Sequence, residues 1–298
     1  YYFLSDDQLV PVPGEPDTEL ETQEITTYIS RQLFQTTAYP LNRFTRLELG
    51  FGLNSVARQR ISVHRKVYQR RAVTEFTRGP VEKDPALNYA EANLAYVSDN
   101  TLFGYTGPIY GRRYRFQVSP VLGNLNWVEY LADYRRYDAI LFNYLTIATR
   151  AYASVSMGRD ETQFQKYIAR PDFVRGYDRN NLLYLSCPII GASSVNCSAV
   201  NLLGSRVAVV NAELRFPLIR RVELGILPMT LPPLEGLFFY DAGLAWSKHQ
   251  AVYGGRPANY DANKQRFPLR SYGLGLRVKL FNYALLPLEY AVPLDQSR

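Results

Sequence analysis

The chain has 298 residues, with 34 Lys and Arg against 27 Asp and Glu, so its formal net charge at pH 7 is +7. A hydrophobic content of 47% excludes a disordered chain, and the length accommodates one large β domain or two ordinary domains. The chain has only two Cys and two distant His, His64 and His249, which excludes a zinc site built from Cys and His within it.

No segment offers the roughly 20 mainly apolar residues that a transmembrane helix needs. The longest uncharged run, residues 180–205, is interrupted by Ser, Asn, Cys, Gly and Pro and is predicted to be a long loop. The 24 Tyr and 15 Phe are typical of a transmembrane β-barrel, but a soluble β protein has a similar composition. The alternation of side chains decides between the two.

Period-two alternation runs through long segments of the chain. Residues 45–54 place Leu49 and Phe51 on one face, and Arg46 and Glu48 on the other. The same pattern recurs at residues 111–119, 208–216, 238–246 and 271–280. These segments match the span of a tilted strand across a bilayer, and their second face combines charged residues with Gly, as a lumen would. We therefore predict an all-β, transmembrane antiparallel β-barrel.

About ten strands are predicted, and short and long connections alternate between them, as in barrels with short periplasmic turns and long outer loops. Residues 99–109 are an exception, because a long connection stands where a short turn is expected. The basic segment 58–72 is predicted to be a solvated hairpin, with a strand extended above the membrane as the alternative. The predicted strands are residues 24–38, 42–56, 86–98, 109–122, 126–137, 140–156, 205–217, 234–247, 269–281 and 283–293.

The most distinctive motif is VRGYD at residues 174–178, in the longest loop. An isolated Arg-Gly pair in a loop is usually only a turn. Here, however, the two following strands carry Glu213 and Asp241 on their polar faces. A planar guanidinium pairs bidentately with carboxylates, and an unpaired buried charge is costly, so Arg175 would need such partners in a lumen. Gly176 would allow the tight turn that points Arg175 inward.

The order VRGYD, then ELRFP at residues 213–217, then FFYDAG at residues 238–243 resembles the BamA/TamA/FhaC superfamily. Its members are outer-membrane barrels of the surface-antigen type that insert or translocate other proteins. YPLNRFTRLELGFGL is similar to the family's periplasmic turn and following strand. DNTLFGYTGPIYGRRYRFQVSP is similar to members with a TolB-like propeller region before the barrel. The resemblance covers most of the chain.

The resemblance implies a lock between the loop and the barrel wall. In the family, the tip of the sixth extracellular loop folds into the barrel and docks on its inner wall. Arg175 would then be the tip arginine, with Asp241 and Glu213 as its carboxylates and Phe239 packed against it. The residues predicted for this loop lock are Val174, Arg175, Gly176, Tyr177, Glu213, Phe239 and Asp241.

The resemblance also implies a sixteen-strand barrel, within the known range of such barrels. The predicted strands correspond to about the sixth to the fifteenth, so residues 1–298 are expected to be the C-terminal part of a barrel domain, with a long loop at 158–204. Within this loop Cys187 and Cys197 are separated by nine residues. An oxidising exterior favours a disulfide between them, and two free thiols are the alternative.

The function predicted is non-enzymatic assembly or translocation of proteins in a bacterial outer membrane, without a cofactor or metal. No nucleophile motif surrounds either His. The alternatives are a passive pore or scaffold subunit of a larger complex, and a soluble β-sandwich binding protein. Expected partners are outer-membrane lipid and lipopolysaccharide, client outer-membrane or secreted proteins, and periplasmic or membrane subunits. Nucleic acid is not expected, because the arginines alternate with lipid-type residues and so point into a lumen.

Overall fold

The fold consists of β-strands throughout the described part of the chain. The computed structural model describes residues 2–4, 8–12, 18–68, 72–141, 144–177, 202–219, 222–223, 230–257, 261, 264–280 and 284–295. In these ranges, no helix is long and apolar enough to cross a membrane. The strands are β1 Tyr2–Leu4, β2 Gln8–Pro11, β3 Thr18–Pro40, β4 Thr45–Tyr68, β5 Ala72–Lys83, β6 Leu87–Asp99, β7 Leu102–Phe103, β8 Pro108–Gly123, β9 Trp127–Ile140, β10 Leu145–Gly158, β11 Lys166–Tyr167, β12 Leu203–Gly204, β13 Arg206–Ile219, β14 Val222–Glu223, β15 Thr230–Leu231, β16 Leu234–Trp246, β17 Ala251–Val252, β18 Gln265–Arg266, β19 Leu269–Leu280 and β20 Ala284–Pro293.

The chain divides into two compact units. The first comprises residues 1–36, 50–92 and 121–125, and the second comprises residues 37–49, 93–120 and 126–298. In the first unit, β1 and β2 pair antiparallel with β3, and β5 pairs antiparallel with β4. The strands that lie wholly or partly in the second unit follow the order β4-β6-β8-β9-β10-β13-β16-β19-β20. The pairs from β9 to β20 along this order are antiparallel.

Each of the ten predicted strands corresponds to one long strand of the structure, with its ends shifted. The largest difference is in β4, which continues to Tyr68 and forms a hairpin with β5. The structure combines the two possibilities for residues 58–72, because the basic segment extends β4 and this extension forms a hairpin with β5. Cross-strand ion pairs neutralise basic residues of this segment, as Lys66 Nζ lies 3.2 Å from Glu75. Val63, on the same strand, is buried.

Two connections also differ from the prediction. The predicted strand 140–156 begins only at Leu145, because Leu141 has a φ of 48° and accepts a hydrogen bond from the Tyr144 amide at 3.0 Å, which closes a turn. The connection at residues 99–109 is partly ordered by β7, which pairs with β8 around a turn between Gly104 and Gly107.

In the second unit, the exposed face is apolar and the buried face carries charged residues, which is the reverse of a soluble sheet. Phe238 and Leu274 are 54% and 53% exposed, whereas Asp241 is 0% and Arg215 is 8% exposed. Apolar side chains thus cover the outer face, and charged side chains are buried on the inner face, against which the loop after β10 packs. A sheet of this kind places its apolar face in lipid.

Candidate functional site

The loop after β10 is anchored to the inner face before it reaches the VRGYD motif. Its strand β11 pairs antiparallel with β12, and Lys166 Nζ donates a hydrogen bond to Ser156 Oγ at 2.5 Å. A turn follows, in which the amides of Phe173 and Val174 donate to the Arg170 carbonyl at 2.9 and 3.1 Å. This turn points the next residue towards the inner face of the sheet.

Apolar packing fixes the loop tip on the wall. Val174 is 1% exposed and lies against Gly243 of β16. A Cβ at Gly243 would lie 2.5 Å from Val174 Cγ2 and 2.7 Å from Ile168 Cδ1, so only Gly leaves room for the loop. The buried cluster comprises Ile168, Ala169, Phe173, Val174, Tyr177, Leu202, Val207, Val209, Ala245, Phe267 and Leu269.

Arg175 makes its principal contact with Asp241, which is completely buried. Its Nε and Nη2 donate to the two carboxylate oxygens of Asp241 at 2.7 and 2.8 Å, in bidentate geometry. The Arg175 amide also donates to Asp241, at 3.2 Å. Asn211 links Asp241 to the loop, because its Nδ2 donates to Asp241 and to the Phe173 carbonyl at 2.8 and 2.7 Å.

Two further carboxylates and a ring complete the surroundings of Arg175. Its Nη1 donates to Glu213 of β13 at 2.9 Å and to Glu289 of β20 at 3.0 Å. Its Cζ lies 3.6 Å from the centroid of the Phe239 ring, a cation–π contact. We call this group, Arg175 with Asp241, Glu213, Glu289 and Phe239, the arginine cage. It connects the loop to three strands of the wall.

The charges in and around the cage balance. Glu213 also accepts hydrogen bonds from Arg215 Nε at 2.8 Å and from Arg277 Nη2 at 3.0 Å. Three guanidinium groups therefore face the carboxylates of Asp241, Glu213 and Glu289, and Coulomb attraction offsets the cost of their burial. Burial lowers the pKa of Arg175, but Asp241, Glu213 and Glu289 outweigh it, so the pKa is raised and the charge is retained.

The residues after Arg175 fix the end of the described loop. Gly176 has a φ of +84°, a left-handed conformation that favours glycine. The Tyr177 hydroxyl donates to the Arg270 carbonyl at 2.7 Å. Burial raises the pKa of Tyr177 further above its ordinary range, so the hydroxyl keeps its proton and remains a donor. Asp295 accepts from the Arg270 amide at 2.7 Å and thereby holds that backbone in place.

The structure brings all seven sequence-predicted lock residues together at one place on the inner face. Their role as a lock stays a prediction. Asp178 and the predicted disulfide between Cys187 and Cys197 lie outside the described residues. Within the described ranges, no group of three or more His, Cys, Asp or Glu is placed to hold a metal ion.

Sequence reasoning missed Glu289, Asn211, Arg215 and Arg277. Glu289 had a signal, because it is the only charged residue in the otherwise apolar strand β20. Its place next to Arg175 depends on the register of β19 and β20, which pairs it with Gly275. The register of distant strands cannot be obtained from alternation alone.

The fold is that of a transmembrane β-barrel of the outer-membrane type, and comparison with known proteins defines the family. The sequence matches the Omp85 superfamily domain over residues 34–298, and the chain belongs to this superfamily. This confirms the predicted family and the predicted barrel class. No curated protein matches the sequence.

One solved structure that resembles this chain is BamA from Haemophilus ducreyi lacking POTRA domains 1–3. The TM-score is 0.52 at 11% sequence identity, and the match covers 93% of this chain and 59% of that chain. At this identity the likeness shows the fold. The chain thus spans about three-fifths of the length of that relative.

Proposed function

We propose that this chain forms an outer-membrane barrel that inserts or translocates other proteins without catalysing a chemical reaction. Membership of the Omp85 superfamily supports this proposal. The observation that carries it is the arginine cage, in which one loop residue contacts β13, β16 and β20. A loop held by bidentate, buried ion pairs makes this part of the wall rigid.

A rigid wall would restrict where a client strand can pair with the barrel during insertion. An incoming client strand needs unpaired backbone groups to pair with, because backbone groups in lipid must be satisfied by hydrogen bonds. When the cage holds β13, β16 and β20 together, the pairing of a client is confined to another part of the barrel. The proposed surroundings are the outer membrane of a diderm bacterium, its lipid and lipopolysaccharide, client proteins, and subunits of an assembly complex.

Proteoliposomes containing the full-length protein test this function. We expect them to accelerate the insertion of an unfolded outer-membrane barrel protein over empty vesicles, measured by protection of the client from protease. Arg175→Ala should lower the rate, because the wall loses its ion pairs with the loop tip. Arg136→Ala is the matched control, since Arg136 is an exposed arginine that pairs with Asp138 of its own strand.

Two outcomes would contradict the proposal. Vesicles that conduct ions but do not accelerate insertion would indicate a passive pore. Equal insertion rates for wild type, Arg175→Ala and Arg136→Ala would show that insertion does not depend on the arginine cage.

A further inference from the structure

One cavity of the second unit is lined by none of the five residues of the arginine cage, although Arg215 and Arg277 of its wall bond to Glu213. It has a volume of about 550 Å³ and lies at the end of the sheet that holds Lys279 of β19 and Ala284 of β20. Residues 101–108, between β6 and β8, form one side of it. Five of its lining residues are cationic and none of them is Asp or Glu, so it is a basic cavity. The cations are Arg113, Arg135, Arg215, Arg277 and Lys279.

The carboxylates that neutralise this wall are shared with other arginines. Glu213 accepts hydrogen bonds from Arg215 and Arg277, but also from Arg175 of the arginine cage. Glu213 therefore has three guanidinium partners, of which Arg175 is also paired with Asp241 and Glu289. The side of Arg215 and Arg277 that faces the cavity meets no acidic side chain among its lining residues.

Two other cations of the basic cavity, Arg135 and Lys279, have no carboxylate to themselves among the described side chains. Arg135 shares Asp133 with Arg150, which donates to the same carboxylate at 3.0 Å. Lys279 has no ion pair within 4.0 Å among the described side chains. This lysine is thus a positive charge available to a ligand in the cavity.

Two acidic groups lie near the basic cavity without lining it. Asp99 is 3.6 Å from Arg113 and also accepts hydrogen bonds from Thr101. Glu235 is paired with Arg277 in the strand register and is 8% exposed, but no ion pair joins it to a described cation within 4.0 Å. An anion in the cavity would therefore meet the cations directly.

The basic cavity has a fixed guanidinium on one side and an apolar rim on the other. Arg215 is 8% exposed, donates to the Pro108 carbonyl at 3.3 Å and lies over the Tyr137 ring at 5.5 Å. Phe103 and Leu285, 64% and 47% exposed, form part of the apolar rim. This arrangement suits a ligand with a charged head and an apolar part.

We propose that the basic cavity binds a phosphate group, supplied by a phospholipid headgroup or by a free phosphate. Arginine presents a planar fork that matches phosphate oxygens bidentately, and lysine adds a point charge. The volume falls in the range of small-molecule sites and exceeds what a bare ion needs. The inference does not rest on the role proposed for the arginine cage.

Titration of the full-length protein in detergent tests the proposal, with inorganic phosphate and short-chain phosphatidic acid as probes. Binding of both probes assigns the site to phosphate itself, and binding of phosphatidic acid alone assigns it to a lipid headgroup. Lys279→Gln should weaken binding about tenfold, because a charged hydrogen bond is lost while no carboxylate loses an ion-pair partner. Arg113→Gln serves as a second variant if Lys279→Gln does not fold.

Arg136→Gln is the control, because this exposed arginine of β9 does not line the cavity. Its affinity should equal that of wild type. Failure of both probes to bind would overturn the proposal, as would an equal loss of affinity in Arg136→Gln and Lys279→Gln. Binding of a Glu-rich peptide that phosphate does not displace would assign the cavity to a carboxylate partner instead.

Discussion

At the scale of single residues, Arg175 brings one positive charge into a wall that holds three carboxylates. Asp241 is the most buried of the three, at 0% exposure, and is the only one held bidentately by Arg175. Glu213 keeps Arg215 and Arg277 as partners when Arg175 is removed, whereas Asp241 keeps no cation within the described contacts. Loss of Arg175 therefore leaves a buried, unpaired carboxylate, which is the costly case.

Gly243 gives a test of loop docking that does not alter any charge. Gly243→Ala introduces a Cβ 2.5 Å from Val174 Cγ2, so the loop must shift. We expect a loss of about 1–3 kcal/mol in stability, as for overpacked cores, together with faster cleavage of the loop by added protease. The measurement is the temperature at which the folded, fast-migrating form is lost on gels.

Gly254→Ala is the matched control, because nothing lies within 4 Å of a Cβ at that position. If Gly243→Ala and Gly254→Ala behave alike, Val174 is not held against β16 in the way the structure describes.

At the scale of elements, β4 is far longer than a bilayer requires. It has 24 residues, and about 9–11 are enough to cross a membrane. Exposed apolar residues such as Phe51 mark its membrane segment, and the pairing with β5 begins at Gln59. The hairpin of β4 and β5 is thus predicted to stand outside the bilayer.

Cysteine labelling of intact cells tests the position of the hairpin. In a background with Cys187→Ser and Cys197→Ser, Phe76→Cys should react with a membrane-impermeant maleimide, because Phe76 is 61% exposed on β5. Phe51→Cys is the control and should remain unlabelled in lipid. Labelling of Phe76→Cys only after cell lysis would place the hairpin on the periplasmic side.

The strands β4 and β5 also show how much of the fold the alternation of side chains predicts. It located the ten long strands, since each has one apolar face, and the carboxylates Glu213 and Asp241 followed from the polar faces. It did not extend β4 to Tyr68, because a run of basic residues resembles a solvated loop until the acidic residues of β5 are placed opposite. Ion pairs across strands depend on register, which the sequence does not display.

At the scale of the whole molecule, the reversed polarity of the faces is the most consistent property. Apolar residues such as Phe238 and Leu274 are exposed, whereas charged residues such as Asp241 and Arg215 are buried on the inner face. Alternation predicted this division. It did not predict Glu289 in the arginine cage or the basic cavity, because both combine residues from strands far apart in the chain. Contacts of that kind arise from strand order and register, which only the folded sheet fixes.

We propose that Arg175 and Asp241 act as one unit that holds the loop on the wall. A double-mutant cycle with Arg175→Ala, Asp241→Ala and the double variant measures this coupling through the free energy of unfolding in urea. We expect Arg175→Ala to lose about 3–5 kcal/mol, and the double variant to be no less stable, because its buried carboxylate has been removed as well. Losses that simply add, within about 0.5 kcal/mol, would contradict the claim.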